Sequence, residues 1–419
     1  MFAEFSGRTR GVFSGIGRGN RARFITTLLA AGLLAVLFAG PVEASGEITI
    51  GEINSYSGMP AFTLPYRNGW QLALDEINQA GGVMGKKLRV ISKDDGGKPG
   101  DAVTVANELV SREKVALLMG TFFSHIGLAV ADFAKQKKVL FVAAEPLSDA
   151  VTWSKGNHYT FRLRAPVYAQ AAMLAEEAAK LPAKRWATIA PNYEYGKSAV
   201  AAFKALLSAR RPDIQWIDEQ WPPLFKIDAG AVVQALAKAN PEAIYNVTFG
   251  SDLGKFIREG NTRELFKGRS MVSLLTGEPE YLDPLKEEAP RGWLVTGYPW
   301  YGIDTPEHQA FLKAYQARFN DYPRLGSIVG YVTMKSVAAI LARAGSTDTE
   351  KMIAAAEGVS LDTPFGKISF RAEDHQSTLG AYVGKTDVQD GKGVMTGWRY
   401  ADGGDYLPTG AELKKLMGR

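Results

Sequence analysis

The stretch 114–136 contains a hydroxyl side chain in a position that favours the binding of anions. It begins with a short apolar run, Val115 to Met119, which is typical of a buried strand and which Gly120 ends. Ser124 follows, just ahead of apolar residues at the spacing of one helix face. This order places a hydroxyl and unpaired backbone N–H groups at a helix N-terminus. Ser124 is therefore a candidate ligand-binding residue, although a serine there is also a common helix N-cap.

Patterns that would indicate catalysis or metal binding are missing from the sequence. The chain has no cysteine and only four histidines, which are widely spaced, so no metal-ligand cluster is predicted. No phosphate-binding Gly-x4-Gly-Lys-Ser/Thr loop and no Gly-x-Ser-x-Gly nucleophile motif occurs. Ser111 and Lys114 match a Ser-x-x-Lys pattern, but Ser111 ends an amphipathic helix and we interpret the match as chance. We therefore predict a protein that is not an enzyme and uses no cofactor.

Residues 1–44 have the features of a secretory signal peptide. Five arginines precede an apolar run, Phe24 to Ala39, and a small-residue site at 42–44 follows it. A single membrane anchor is the alternative, which the shortness of the run disfavours. The five arginines and two glutamates of this segment carry +3 of the formal charge of +5, so the rest of the chain is close to neutral. Its basic residues are scattered and do not indicate binding to nucleic acid.

The rest of the chain alternates between strand and helix patterns and is long enough for two lobes. Between 47 and 143 the order is β-α-β-α-β-α-β, which is typical of a doubly wound parallel sheet. Near Phe161 to Pro166 the pattern begins again and gives a second α/β unit of similar build. Three further helices follow, the last with Thr347 and Glu350 as a predicted capping box. The tail from Pro364 onward is predicted to form strands and turns.

The order of these elements and the residues at their turns resemble a known family. They are similar to the periplasmic solute-binding proteins of branched-chain amino-acid-type (Leu/Ile/Val-binding protein-like) ABC transporters, over essentially the whole chain after the signal peptide. The similar pieces are Ile50-Gly51 to Ser57-Gly58, residues 75–95, residues 106–110, Gly120 with Ser124, YEYGKS at 193–198 and LTGEPEYLDPL at 275–285. The resemblance implies the type I periplasmic-binding fold, in which two doubly wound α/β lobes joined by three crossovers close on a small ligand.

The resemblance also implies limits for the two lobes. The three crossovers are expected near 162–166, 296–299 and 370–376. Lobe one is then predicted to comprise 47–164 plus 298–372, and lobe two to comprise 165–297 plus 373–419.

In lobe one, the resemblance implies that Ser124 binds a ligand carboxylate. The turn after the next strand has a small residue and a threonine in amino-acid-binding members, and here it reads Glu145-Pro146-Leu147. The threonine hydroxyl is thus missing and a carboxylate is close by. Glu145 and Leu147 are candidate ligand residues, and Phe62 is a candidate for the side-chain pocket. A solvent-facing turn residue is the alternative for Glu145.

In lobe two, the resemblance implies three further ligand-binding residues. Tyr195 and Phe249 match aromatic residues that contact the ligand, and Glu278 matches the acidic residue that pairs with the ligand ammonium. Each has a plain structural alternative. Tyr195 and Phe249 would also suit a core, and Glu278 would also suit the start of a helix.

The predicted function is that of an exported periplasmic protein that captures a small polar ligand in the cleft between the lobes. The ligand is an amino acid, an amide or a related compound, and the expected partner is an inner-membrane ABC permease. A soluble sensor of small amides with the same fold is the alternative. The missing threonine and Glu145 weaken the prediction of a standard branched-chain amino acid and leave amides, urea-like compounds and aromatic acids open. We expect a monomer.

Overall fold

The computed structural model describes residues 46–419, and the predicted signal peptide, residues 1–44, lies outside the described residues. The strands of the described residues are β1 (Glu47–Asn54), β2 (Lys87–Asp94), β3 (Leu118–Gly120), β4 (Phe141–Ala143), β5 (Thr160–Arg162), β6 (Arg185–Ile189), β7 (Gln215–Gln220), β8 (Ala243–Asn246), β9 (Ser270–Gly277), β10 (Leu294–Gly297), β11 (Ser360–Thr363), β12 (Gly366–Ser369), β13 (Ala381–Gln389) and β14 (Lys392–Ala401).

The helices are α1 (Pro60–Gln79), α2 (Pro99–Asn107), α3 (Ser124–Lys137), α4 (Val167–Ala178), α5 (Glu194–Arg210), α6 (Ala229–Ala239), α7 (Gly250–Thr262), α8 (Pro279–Leu282), α9 (Pro306–Phe319), α10 (Leu325–Ala344), α11 (Thr349–Ala356), α12 (Gly403–Tyr406) and α13 (Gly410–Leu416). A π-helical turn, Glu108–Arg112, extends α2, and short 3-10 turns lie at Asp149–Val151 and Lys286–Glu288.

The first large sheet is entirely parallel, with five strands in the order β2-β1-β3-β4-β5. Apolar runs such as Phe141–Ala143 form its central strands, and these are buried on both faces. The strand order reverses between β1 and β3. At such a reversal the loops after the two strands diverge, and the gap outside their carboxyl ends is where open α/β sheets bind ligands.

The second large sheet repeats this arrangement. Its parallel part runs β7-β6-β8-β9-β10, which is the same relative order, and β13 and β14 extend it as an antiparallel edge. The reversal lies between β6 and β8. The prediction of two doubly wound parallel α/β units is therefore confirmed.

We call the halves built on the first and second sheets lobe one and lobe two. A close pair of helices, α1 and α10, packs on lobe one. α10 is the one helix among residues 46–419 that is long and apolar enough to cross a membrane, but 72% of its apolar window is buried inside the protein. It packs against α1 through glycines. A Cβ at Gly330 would lie 1.9 Å from the Tyr66 carbonyl oxygen, so the two backbones approach as closely as glycine allows.

The start of α11 and the helices of the tail differ from the sequence predictions. α1 begins with Pro60 at its first helical position and contains Pro65 in its interior. The predicted Thr347–Glu350 capping box is wrong. Asp348 caps α11 instead, since its carboxylate accepts a hydrogen bond from the Lys351 N–H at 3.0 Å. The tail also contains α12 and α13 in addition to the predicted strands.

The segments predicted as the first and third crossovers lie side by side. The Arg162 N–H donates to the His375 carbonyl at 3.0 Å, and the Ser377 N–H donates to the Arg162 carbonyl at 2.9 Å. In the second segment, the Thr296 hydroxyl donates to Gln170 Oε1 at 3.1 Å. The first two bonds join the first and third segments, and the last joins the second segment to α4, while the lobe limits stay a prediction.

Gly120→Ala is expected to destabilise the protein. Gly120 ends β3 with a φ of 112°, and a Cβ there would lie 2.3 Å from the Ile53 carbonyl oxygen. Backbone strain alone costs about 1–3 kcal/mol, and the clash adds to it. Gly100→Ala is the matched control, because a Cβ at Gly100 meets nothing within 4 Å. Thermal unfolding of both variants tests this, and equal midpoints would contradict it.

Candidate functional site

A small cavity of about 20 Å³ lies where the carboxyl ends of the two sheets face each other. Its wall is built from turns that follow β3, β4, β5, β6 and β8 and from the end of β9. The lining residues are Phe122, Ser124, Glu145, Leu147, Arg164, Tyr193, Tyr195, Phe249, Leu275 and Tyr281. The strand reversals of both sheets thus contribute to one space, as expected for a ligand site of this topology.

Most of the sequence-predicted site residues meet in this cavity, and two do not. Ser124, Glu145 and Leu147 come from lobe one, and Tyr195 and Phe249 come from lobe two. Phe62 lies behind the wall, with its ring 5.1 Å from that of Phe122. Glu278 lines a neighbouring cavity of about 10 Å³, which it shares with Arg164.

Ser124 does not cap its helix. Phe123 occupies the N-cap position of α3, and Ser124 is the first helical residue. The Ser124 hydroxyl oxygen accepts a hydrogen bond from the Ser148 N–H at 3.0 Å. A hydroxyl that accepts in this way keeps its own proton for donation. Ser124 is therefore held in place as a hydrogen-bond donor on the cavity wall, beside the N-terminus of α3.

Arg164 binds two carboxylates that come from different parts of the chain. Its Nη1 lies 3.4 Å from Glu145 Oε2, and its Nη2 contacts Glu278 Oε1. All three side chains are buried. The Glu278 side chain makes no cap bond to α8, although Glu278 stands at the N-cap position. The solvent-facing alternative for Glu145 is wrong, since only 1% of this residue is exposed.

Sequence reasoning missed Arg164 because its role depends on partners that are distant in sequence. Glu278 is 114 residues away. A signal was nevertheless present, since Arg162 and Arg164 are isolated charges in the apolar segment Phe161 to Pro166. A charge in such a segment is seldom buried without a partner.

Burial shifts the protonation of the carboxyl groups around Arg164 towards their neutral forms. It raises the pKa of Glu145 well above its usual value and that of Glu278 to about 8, although the Arg164 guanidinium opposes both shifts. It also raises the pKa of the adjacent Glu280 to about 7. Within the described residues, Glu145 Oε1 and Glu278 Oε2 have no hydrogen-bond partner. One guanidinium thus interacts with a group of three carboxyls that retains protons near neutral pH.

Aromatic rings from both lobes form the rest of the wall. Phe122 of lobe one lies 6.4 Å from Phe249 of lobe two, and Phe249 lies 5.6 Å edge-on from Tyr195. The Tyr195 hydroxyl is buried and has no partner among residues 46–419. Phe122 and Tyr193 lie within stretches that the sequence analysis emphasised, but it did not select them.

Leu275 reaches the cavity through an unusual backbone. β9 bulges between its pairs Ser273–Val295 and Gly277–Gly297, and within the bulge Leu275 has a φ of 68°. A left-handed conformation is rare for leucine and persists only where the surroundings impose it. The Leu275 N–H is fixed by Thr296 Oγ1 at 3.0 Å. The bulge directs an apolar side chain of a central strand towards the binding space. No sequence pattern predicts this direction.

The raised pKa values predict a loss of stability in alkaline solution. Glu278 and Glu280 have pKa values of about 8 and about 7 in the folded protein, against 4.5 as the usual value. The folded state therefore binds more protons than the unfolded state between these limits, so stability falls as the pH rises through 7 and 8. The thermal unfolding midpoint should fall between pH 6 and pH 9.

The Glu280→Gln variant should show a smaller fall, because glutamine has no proton to lose. Glu280 accepts a hydrogen bond from the Gly326 N–H at 2.7 Å, which a glutamine oxygen can also accept. Glu264→Gln, at an exposed glutamate paired with Lys267, is the control and should behave as the parent protein. An unchanged fall in Glu280→Gln would contradict the assignment.

The comparisons with known proteins agree with this architecture. A family model described as periplasmic binding protein matches residues 47–392. The Leu/Ile/Val-binding protein homolog 3 of Brucella melitensis is 26% identical over 382 residues, covering 86% of this chain and 97% of that relative.

Two solved structures from Rhodopseudomonas palustris share the fold. A solute binding protein of an ABC transporter from strain BisB5, in complex with 3,4-dihydroxy benzoic acid, has a TM-score of 0.75 and 25% identity, covering 85% of this chain and 98% of that one. An ABC-type branched-chain amino acid transporter from strain CGA009 has a TM-score of 0.69 and 26% identity, covering 86% and 98%. Members of this family are solute-binding proteins rather than enzymes, as predicted. The chain therefore belongs to the periplasmic binding proteins, with the type I fold of the Leu/Ile/Val-binding-like solute-binding proteins of ABC transporters.

Proposed function

We propose that this protein is an exported periplasmic receptor that captures a small polar ligand, such as an amino acid, an amide or a related compound. It delivers the ligand as a monomer to an inner-membrane ABC permease. The observation that carries the proposal is the cavity at the two strand reversals, where Ser124 offers a hydroxyl proton beside a helix N-terminus. The family supports the general role, and the cavity supports the kind of ligand.

The lining supports a ligand with one polar end and an apolar body. Ser124 would donate to a carboxylate or carbonyl oxygen, which the N-terminus of α3 also favours. The rings of Phe122, Tyr195 and Phe249 would cover the body and exclude water. A cavity of about 20 Å³ is far below the range for small-molecule sites, so a ligand would enter only when the two lobes move apart.

Two hydrogen bonds join the halves that we propose as lobe one and lobe two. The Ser148 hydroxyl donates to Glu194 Oε1 at 2.7 Å, and the Tyr322 hydroxyl donates to Asp283 Oδ2 at 2.9 Å. Ligand exchange would require these bonds to break by a hinge-like opening of the two lobes. Closure would then bury the ligand and strengthen its polar contacts.

A thermal-shift screen followed by one substitution tests the proposal. Amino acids, amides, urea and aromatic acids are the probes, and at least one should raise the unfolding midpoint. A compound at about 100 times its Kd adds roughly 2.7 kcal/mol of stability. Ser124→Ala should then weaken binding of that compound about tenfold to a hundredfold, since a hydrogen bond to a charged group contributes about 1.5–3 kcal/mol.

The matched control for this substitution is Ser111→Ala. Ser111 is exposed, its hydroxyl bonds only Asn107 in the described residues, and it does not line the cavity. It should leave affinity unchanged. If no compound of the four groups stabilises the protein, or if Ser124→Ala binds as tightly as Ser111→Ala, the proposed site is wrong.

A further inference from the structure

Arg162 is a buried charge that the ligand cavity does not use. It ends β5, none of its surface is exposed, and it is not among the residues that line the cavity. Burial lowers its pKa to about 10, although the nearby Asp149 and Asp374 carboxyls oppose the shift, so it remains a cation at neutral pH. Its hydrogen-bond acceptors among residues 46–419 are an amide, a hydroxyl and two carbonyls. Burying a cation among neutral acceptors costs stability, which indicates a role other than stabilising the core.

The Arg162 guanidinium joins a connecting segment to the turn that follows β4. Its Nε donates to Gln376 Oε1 at 2.5 Å, in the segment predicted as the third crossover. Its Nη2 donates to the Thr152 hydroxyl at 3.0 Å, and its Nη1 donates to the carbonyl of Ser148. Since the N–H groups of arginine point in fixed directions within one plane, these bonds set the position of the turn relative to the crossover.

Ser148, in this turn, contacts both the ligand site and lobe two. Its N–H donates to the Ser124 hydroxyl oxygen at 3.0 Å, which leaves the Ser124 proton free for a ligand. Its own hydroxyl donates to Glu194 Oε1 at 2.7 Å, and Glu194 is the first residue of α5 in lobe two. One residue thus holds the polar end of the cavity through its backbone and the other lobe through its side chain.

The next residue, Asp149, adds a second contact with lobe two. The Asp149 N–H donates to the Ser198 hydroxyl oxygen at 3.1 Å, and the same hydroxyl donates to Asp149 Oδ2 at 3.1 Å. Ser198 and Glu194 are four residues apart in α5, so they lie on one face of the helix. Both belong to the YEYGKS stretch at 193–198, whose two tyrosines line the cavity. This face of α5 therefore meets the turn that Arg162 holds.

From these contacts we propose that Arg162 is a positioning residue for ligand capture. It holds the turn so that Ser148 orients Ser124 through its backbone and binds Glu194 through its side chain when the lobes are closed. Opening of the lobes breaks the Glu194 contact and leaves the Ser124 contact in place, because the latter lies within lobe one. The polar end of the site is thus ready before closure, and closure adds a bond that retains the ligand. The proposal rests on the proposed function and adds how its site is regulated.

Distances between spin labels on the two lobes, measured by pulsed electron spin resonance, test the proposal. Leu64→Cys in lobe one and Lys255→Cys in lobe two provide exposed labelling sites, and the chain has no cysteine that would compete for the label. The two sites lie close to the segments 58–61 and 250–255, which line one surface groove from opposite lobes. The labelled parent protein should show a short-distance population of closed molecules, measured alone and with L-leucine or 3,4-dihydroxybenzoate as the added probe.

Loss of the bond between Ser148 and Glu194 should lower the ratio of closed to open molecules about tenfold to a hundredfold, as expected for a hydrogen bond to a charged group. Ser148→Ala and Glu194→Ala should each do so, and the double variant should do no more, because both substitutions remove the same bond. Glu194→Gln should lose at most about threefold, since its amide oxygen accepts from the same hydroxyl. Ser111→Ala is the matched control and should behave as the parent protein.

Arg162→Lys should lower the same ratio about fivefold or more, because a lysine ammonium lacks the planar fork that bonds Gln376 and Ser148 together. Adding Ser148→Ala to this variant should have no further effect, since Arg162 acts through Ser148. Thr152→Val keeps the shape of the side chain and removes one acceptor of the guanidinium. It should lower the ratio about twofold or more, and it tests the role of Arg162 if Arg162→Lys does not fold.

The outcomes distinguish this proposal from the function on which it rests. An unchanged ratio in Ser148→Ala, or additive effects of Ser148→Ala and Glu194→Ala, would overturn the contact with lobe two. An unchanged ratio in Arg162→Lys, or in Thr152→Val where Arg162→Lys does not fold, would overturn the role of Arg162. A parent protein without any short-distance population would overturn both. The proposed function fails by a separate result, when no compound raises the unfolding midpoint in the thermal-shift screen.

Discussion

The buried guanidinium of Arg164 is the constraint on which the rest of the binding region depends. It follows β5, and its two partners follow β4 and β9, so one side chain joins the carboxyl ends of both sheets. A buried charge of this kind costs several kcal/mol in lost hydration unless its partners compensate it. The relative position of Glu145 and Glu278 is therefore fixed by the need to satisfy Arg164. The positions of the charged groups in the cavity wall follow from this pairing.

The two sheets explain why these groups meet at all. Each sheet reverses its strand order between its first and third strands, so each presents a gap at its carboxyl edge. Ser124 lies at the gap of the first sheet, and Tyr195 and Phe249 lie at the gap of the second. The same topology, used twice, provides a polar end from one half and an aromatic cover from both halves.

Much of this arrangement was predictable from the sequence because it follows from strand ends. An apolar run ended by a glycine indicated β3, and Ser124, just beyond it, lies in the cavity wall, as does Phe249, which the family resemblance indicated. The family resemblance located Tyr195 and the Glu145 turn in the same way. These positions depend on local order along the chain, which the pattern of strands and helices determines.

What the sequence could not predict depends on partners distant along the chain. The position of Glu278 was predicted from the resemblance, but its partner Arg164 was not, because pairing is decided by the packing of the two sheets. Leu275 was missed since a bulge in β9 reverses the direction that strand alternation would give its side chain. The capping residue of α11 was missed because Thr347 and Asp348 are both good N-caps, and only the path of the chain decides between them.

The most direct test of the account is a double-mutant cycle between Arg164→Met and Glu278→Gln, measured as the free energy of unfolding in urea. If Arg164 holds Glu278 in the folded protein, the two substitutions should not be additive, and the coupling should exceed about 1 kcal/mol. The double variant should then be more stable than Arg164→Met alone, because it no longer buries the Glu278 carboxyl without its partner. Additivity within about 0.5 kcal/mol would contradict the claim that this ion pair organises the site.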